Sequence, residues 1–128
     1  MRYLYFTTQA GLTDPGNTYE TIYDSLLNSP KGYEGIGEAR LVTKVFDKLE
    51  LLGEATKRNG QDTFSFKGSP GMIGMVALED AEYDLVVSVM KSLRWTGAYA
   101  RKAVQLLEWL EKAPTSLEEA RADVPAAG

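Results

Sequence analysis

The stretch Ile36-Gly37-Glu38-Ala39-Arg40-Leu41-Val42-Thr43-Lys44-Val45-Phe46-Asp47-Lys48-Leu49-Glu50-Leu51-Leu52 decides how this chain is read. Leu41, Val42, Val45, Phe46, Leu49 and Leu52 recur at three- and four-residue steps, the period of an amphipathic α-helix. Arg40, Lys44 and Lys48 fall four apart on another face. Such a helix needs a cover for its apolar flank, and the segments on either side supply one.

Downstream, Gly53 offers a glycine C-cap for the helix. Glu54–Arg58, then Asn59-Gly60, then Gln61–Lys67 predicts a β-hairpin, because both turn residues tolerate positive φ. Thr63 and Ser65 alternate with Phe64 and Phe66, the pattern of a half-buried strand. Ser69-Pro70-Gly71 makes a turn, and Met72–Leu78 reads as the next antiparallel strand. A helix over 80–94 follows, with Glu79, Asp80 and Glu82 at its positive end and Tyr83, Val86, Val87, Met90 and Leu93 as its apolar stripe. Thr96-Gly97 breaks the chain before a last helix over 98–112, in which Tyr99, Ala103, Leu106, Leu107 and Leu110 face inward. From Pro114 the composition turns to Glu, Ala and Pro, which reads as a frayed tail.

Upstream, Ser29–Gly37 is a loop carrying Pro30, Gly32, Gly35 and Gly37. A helix over 17–28 precedes it, capped by Asn17 with Glu20 three residues on, and buries Tyr19, Ile22, Tyr23, Leu26 and Leu27. Residues 2–7 alternate as a strand, with Tyr3, Tyr5 and Thr7 against Leu4 and Phe6. The expectation is a single α+β domain over 1–113 with a flexible tail over 114–128. A small antiparallel sheet of 2–7, 54–58, 61–67 and 72–78 packs on four helices. Its three later strands form a meander, which the first strand either joins or leaves, and the order of helix, basic helix and hairpin is partly winged-helix-like.

Composition narrows the chemistry. The chain of 128 residues has no histidine and no cysteine, so the commonest general base and the usual zinc ligands are missing. Triads built on histidine are excluded within it. The net charge of −4 repels nucleic acid and anionic membranes in bulk. No apolar run reaches the ~18 residues needed to cross a bilayer. No enzyme activity, metal or cofactor is therefore expected, and a cytoplasmic location is the default.

Four groups of residues carry a possible function. Arg40, Lys44 and Lys48, with Lys57 and Arg58 beside the hairpin turn, match the recognition helix and wing of a DNA-binding domain. Against this, Ser29–Gly37 is too short for the extra helix such a domain needs, and Asp47, Glu50 and Glu54 crowd the same region. The plainer alternative is a solvated, salt-bridged face. Lys31 among Gly32, Gly35 and Gly37 evokes a phosphate loop but fits neither nucleotide-binding spacing, so it reads as a connector. The acids Glu79, Asp80, Glu82 and Asp84 lack the spacing of a calcium loop and suit a helix N-terminus. Among the large aromatics, Trp95 reads as core, while Tyr33 and Trp109 are candidates for a contact surface.

Leu27-Asn28-Ser29-Pro30-Lys31-Gly32, the helix that follows, Leu78-Glu79-Asp80-Ala81-Glu82-Tyr83 and Arg94-Trp95 together resemble small accessory proteins encoded by tailed bacteriophages. The resemblance spans roughly residues 20–112 and brings no catalytic residue. It implies a protein that binds host or virion proteins, located in host cytoplasm or the virion. The sequence thus points to a non-enzymatic protein-binding factor, through a partner protein or self-association. Tyr33, Arg40, Lys44, Lys48 and Trp109 are its contact candidates. A winged-helix-like DNA-binding regulator, adding Lys57 and Arg58, is the alternative.

Overall fold

The structure is a computed structural model that describes residues 1–7, 15–67, 73–94, 96, 97 and 100–116. The fold is α+β. Its elements in chain order are β1 (Arg2–Thr7), α1 (Pro15–Leu27), α2 (Gly35–Glu50), β2 (Gly53–Arg58), β3 (Gln61–Phe66), β4 (Ile73–Leu78), α3 (Asp80–Ser92) and α4 (Ala100–Glu111). Trp95, Tyr99 and the turn at 69–71 lie outside the described residues, as does the expected tail from residue 117 onward.

The sequence period places α2 correctly. Val42, Val45 and Leu49 are buried on one side of it, while Arg40, Thr43, Lys44 and Asp47 are exposed on the other. They meet Tyr19, Ile22, Tyr23 and Leu26 of α1 and Val86 and Met90 of α3 in one core, closed by Leu106 and Leu110 of α4. Each such side chain withdrawn from water stabilises the fold by about 1.5–3 kcal/mol. Rings of Phe6, Tyr19, Tyr23, Phe46, Phe64, Phe66 and Trp109 form a connected aromatic layer at 5.1–6.3 Å centroid spacings.

Strand pairing differs from the expected meander. β1 pairs antiparallel with β4, and β2 with β3, as two separate two-stranded sheets. Leu4 and Phe6 lie opposite Val76 and Gly74, and the face formed by Leu4, Phe6, Val76 and Leu78 is buried. Gly74 leaves room against this sheet for side chains from the α2–β2 junction and from β3. A Cβ there would come within 3.1 Å of the Leu52 and Phe66 side chains, which occupy the space a larger residue would take.

Three local readings also need correcting. Helix α1 opens at Pro15, a first-turn position where proline's missing N–H goes unneeded, so Asn17 lies inside the helix and does not cap it. Glu20, expected in a capping box, instead lies 3.4 Å from Arg58. Gly53 does not cap α2, whose C-cap is Leu51 in αR geometry. It opens β2, and glycine is required there because an added Cβ would run into the Tyr19 hydroxyl and lie 3.0 Å from the Ser65 carbonyl oxygen. The Asn59-Gly60 turn is present with φ of 53° and 78°. Just beyond α4, Ala113 and Pro114 are buried, and the Pro114 carbonyl accepts the Tyr3 N–H at 2.9 Å. The Arg2 guanidinium donates to the Ala113 carbonyl at 2.6 Å.

Candidate protein-contact surface

The five cations singled out by sequence divide into two kinds. Lys48 and Arg58 are structural. The Lys48 ammonium donates to Glu82 Oε1 at 2.6 Å and to the Ala77 carbonyl at 2.9 Å, tying α2 to α3 and to the outer edge of β4. Glu82 is 1 % exposed, and its Oε1 also accepts the Glu79 N–H at 2.8 Å, the return half of a capping box. The acids read as helix-dipole partners are thus partly that, with one of them buried as the anchor of a basic residue.

Arg58 is turned inward by the hairpin register, which sets it opposite Gln61, with Thr63 and Ser65 following on the same face. Its Nε and Nη2 grip both Asp24 carboxylate oxygens at 2.8 Å, the bidentate geometry that suits a guanidinium. The remaining N–H groups reach Ser65 Oγ at 2.7 Å, the Phe64 carbonyl at 2.7 Å and Thr63 Oγ1 at 3.0 Å. Burial pushes the Asp24 carboxyl up, but hydrogen bonds from Arg58 and Thr63 and the guanidinium charge outweigh it and hold it below the usual carboxylate value. This network locks the hairpin to α1 and holds the Arg58 guanidinium against Asp24 instead of presenting it for a wing contact.

Arg40, Lys44 and Lys57 are exposed. Lys57 sits 3.7 Å from Asp62 with both side chains largely in solvent, a contact worth little. Among the described residues neither Arg40 nor Lys44 makes an ion pair. The aromatic candidates are half-buried instead of stranded. The Tyr33 hydroxyl donates to the Leu26 carbonyl at 2.5 Å, and burial, helped by the Glu38 charge, pushes its phenol up to about 12. Trp109 packs 5.5 Å from Phe6. Neither ring is presented whole to a partner.

The residues that sequence reasoning missed lie at the two ends of the same α2 face. Ile36 is 70 % exposed and Leu51 84 % exposed, the two most exposed of the large apolar side chains described. Part of the signal was available: Leu51 falls outside the three- and four-residue steps that join Leu41, Val42, Val45, Phe46, Leu49 and Leu52 on the apolar side. Arg40, Lys44 and Asp47 stand between these two aliphatic ends, giving a polar centre with apolar flanks.

Other candidate features are accounted for by the fold. A cavity of about 180 Å³ beside Ser29 and Lys31 is also lined by Glu34 and Glu38, whose carboxylates oppose any anion there. The Glu34 N–H already donates to Glu38 Oε1 at 3.1 Å, so the phosphate-loop reading finds its amide occupied. No cluster of three or more potential metal ligands occurs among the described residues, and none of their helices is long and apolar enough to cross a membrane. No protein-family model, curated protein or solved structure matches the chain.

Proposed function

We propose that this chain is a non-enzymatic protein-binding domain whose contact surface is the outer face of α2. The observation that carries this reading is the face itself. Ile36 and Leu51 stand in solvent at its ends, and Arg40 and Lys44 between them have no ion-pair partner among the described residues. A protein interface combines apolar side chains with polar groups, and here both sit on a rigid element, the polar groups central and the aliphatic ones at the ends. Resemblance to accessory proteins of tailed phages would make the partner a host or virion protein.

The test compares the wild-type chain with Arg40→Glu/Lys44→Glu as bait in cell extract, after matching their thermal melts. Capture or self-association should weaken at least about tenfold in the variant. Equal behaviour of the two baits, or no association by either, removes the reading. DNA binding draws support from the same two lysine and arginine side chains together with Lys57, but loses Lys48 and Arg58 to internal networks. A mobility shift at low ionic strength, where phosphate contacts are strongest, separates it from protein binding.

A further inference from the structure

We propose that the outer face of α2 is an isologous contact between two copies of this chain, the helix lying antiparallel to its symmetry mate. This rests on the contact-surface reading above and goes beyond it by naming the occupant. At about 100° per residue, Ile36, Arg40, Thr43, Lys44, Asp47 and Leu51 fall within an arc of about 100°, opposite the buried Val42, Val45 and Leu49. The two aliphatic ends are about 22 Å apart along the axis.

A two-fold axis passing between Thr43 and Lys44 sets Ile36 of one copy against Leu51 of the other, twice over. The same operation sets Arg40 against Asp47, also twice. Apolar meets apolar and cation meets carboxylate in a single register, as a self-complementary C2 contact requires. A parallel arrangement instead stacks Arg40 on Arg40 and Asp47 on Asp47. A uniformly acidic helix would suit Arg40 and Lys44 but would meet Asp47 between the aliphatic ends. The second copy of this chain matches the two aliphatic ends and the Arg40/Asp47 pair of the stripe, while Lys44 falls opposite Thr43 on the flank, where its long side chain turns to water away from the Lys44 of the mate. One helix pair buries less than the ~1,200–2,000 Å² of a standard interface, so the dimer is weak and concentration-dependent.

Sedimentation velocity from about 10 μM to 1 mM tests this, because association of that size shows only near the top of the range. The wild type should move from monomer towards dimer as concentration rises. Arg40→Glu alone and Asp47→Arg alone should each weaken the dimer by about tenfold or more, since each opposes like charges. The double variant R40E/D47R should recover to within about threefold of wild type. An equimolar mixture of the two single variants should form a mixed pair, because each supplies what the other lacks. Leu51→Glu should leave a monomer with an unchanged thermal melt. A wild type that stays monomeric throughout, or a double variant no better than the singles, overturns the inference. In that case, capture of another protein that still depends on Arg40 and Lys44 would leave the contact-surface reading standing. Capture indifferent to those two residues would overturn that reading instead.

Discussion

The Lys48–Glu82 pair gives the sharpest test of whether α2's third cation is a strut or a contact residue. Lys48→Met keeps the volume and apolar stem but leaves Glu82, 1 % exposed, without its counter-charge; its second oxygen has no hydrogen-bond partner among the described residues. Stranding one member of a buried pair costs about 3–5 kcal/mol. Two features here reduce that. The Lys48 side chain is 35 % exposed, so water screens the pair, and Glu82 keeps the Glu79 amide. A loss of about 2–3 kcal/mol is expected, which at a slope near 2 kcal/mol/M lowers the urea midpoint by about 1–1.5 M. The double variant Lys48→Met/Glu82→Gln removes the stranded charge, while glutamine still accepts the Glu79 N–H as a capping-box residue. It should regain about half the loss or more, and the cycle of four proteins isolates the coupling. Equilibrium urea unfolding at neutral pH, followed by tryptophan fluorescence and circular dichroism, measures it. A Lys48→Met protein within about 0.5 kcal/mol of wild type, or a double variant no more stable than the single, refutes the assignment of Lys48 as a strut to the buried Glu82. If Lys48 acts only as a strut, the folded single variant should also bind partners as the wild type does.

Two further outcomes follow from the geometry. The folded-state pKa of Asp24 lies below its usual value, so its contribution to stability is fully present above the unfolded pKa near ~4 and is lost as pH falls through the depressed one. Asp24→Asn should therefore be clearly less stable than wild type at pH 7, with the gap in urea midpoint closing as the pH is lowered below about 4; a gap that is constant with pH contradicts the Arg58 network. The glycines of α2 should respond with opposite signs. Gly37 has open space around it and no positive φ, so Gly37→Ala should raise stability by about 0.5–1 kcal/mol, whereas Gly35→Ala, at φ +64°, should lower it by about 1 kcal/mol. Thermal melts that rank the two the other way would refute the helix start.

What could be read from sequence was what local geometry dictates. Asn59-Gly60 announced its hairpin because few residues other than asparagine and glycine accept the φ values found there. The four helices followed from apolar periodicity. The pairing of β1 with β4 was not legible, since the strands are some 70 positions apart and nothing local in either names its partner. Gly53 was misread because glycine serves two needs that sequence does not distinguish. A glycine after a helix suits a C-cap, whereas the fold uses Gly53 for the space that Tyr19 requires. Arg58 reads as a wing cation because it stands with Lys57 beside the hairpin turn. Adjacent strand residues point to opposite faces, so the register that exposes Lys57 turns Arg58 onto Asp24.

The basic ladder on α2 failed in part for a reason contained in the helix itself. Residues four apart are not stacked, since each step of four overshoots a full turn by about 40°. From Arg40 to Lys44 the drift keeps the side chain in solvent. A second step brings Lys48 about 80° round, to the boundary where the apolar side begins and Glu82 waits on α3. Continuing by one more three-residue step from Lys48 returns the helix to within about 20° of Arg40, at Leu51. The true exposed stripe therefore combines steps of four and three and takes in Ile36, Arg40, Lys44, Asp47 and Leu51. It contains fewer cations than the ladder, one carboxylate, and two aliphatic ends. A uniformly basic ladder would favour a polyanion; a stripe that reads apolar, positive, positive, negative, apolar along its length meets its own reverse apolar to apolar at the ends and Arg40 to Asp47 between them.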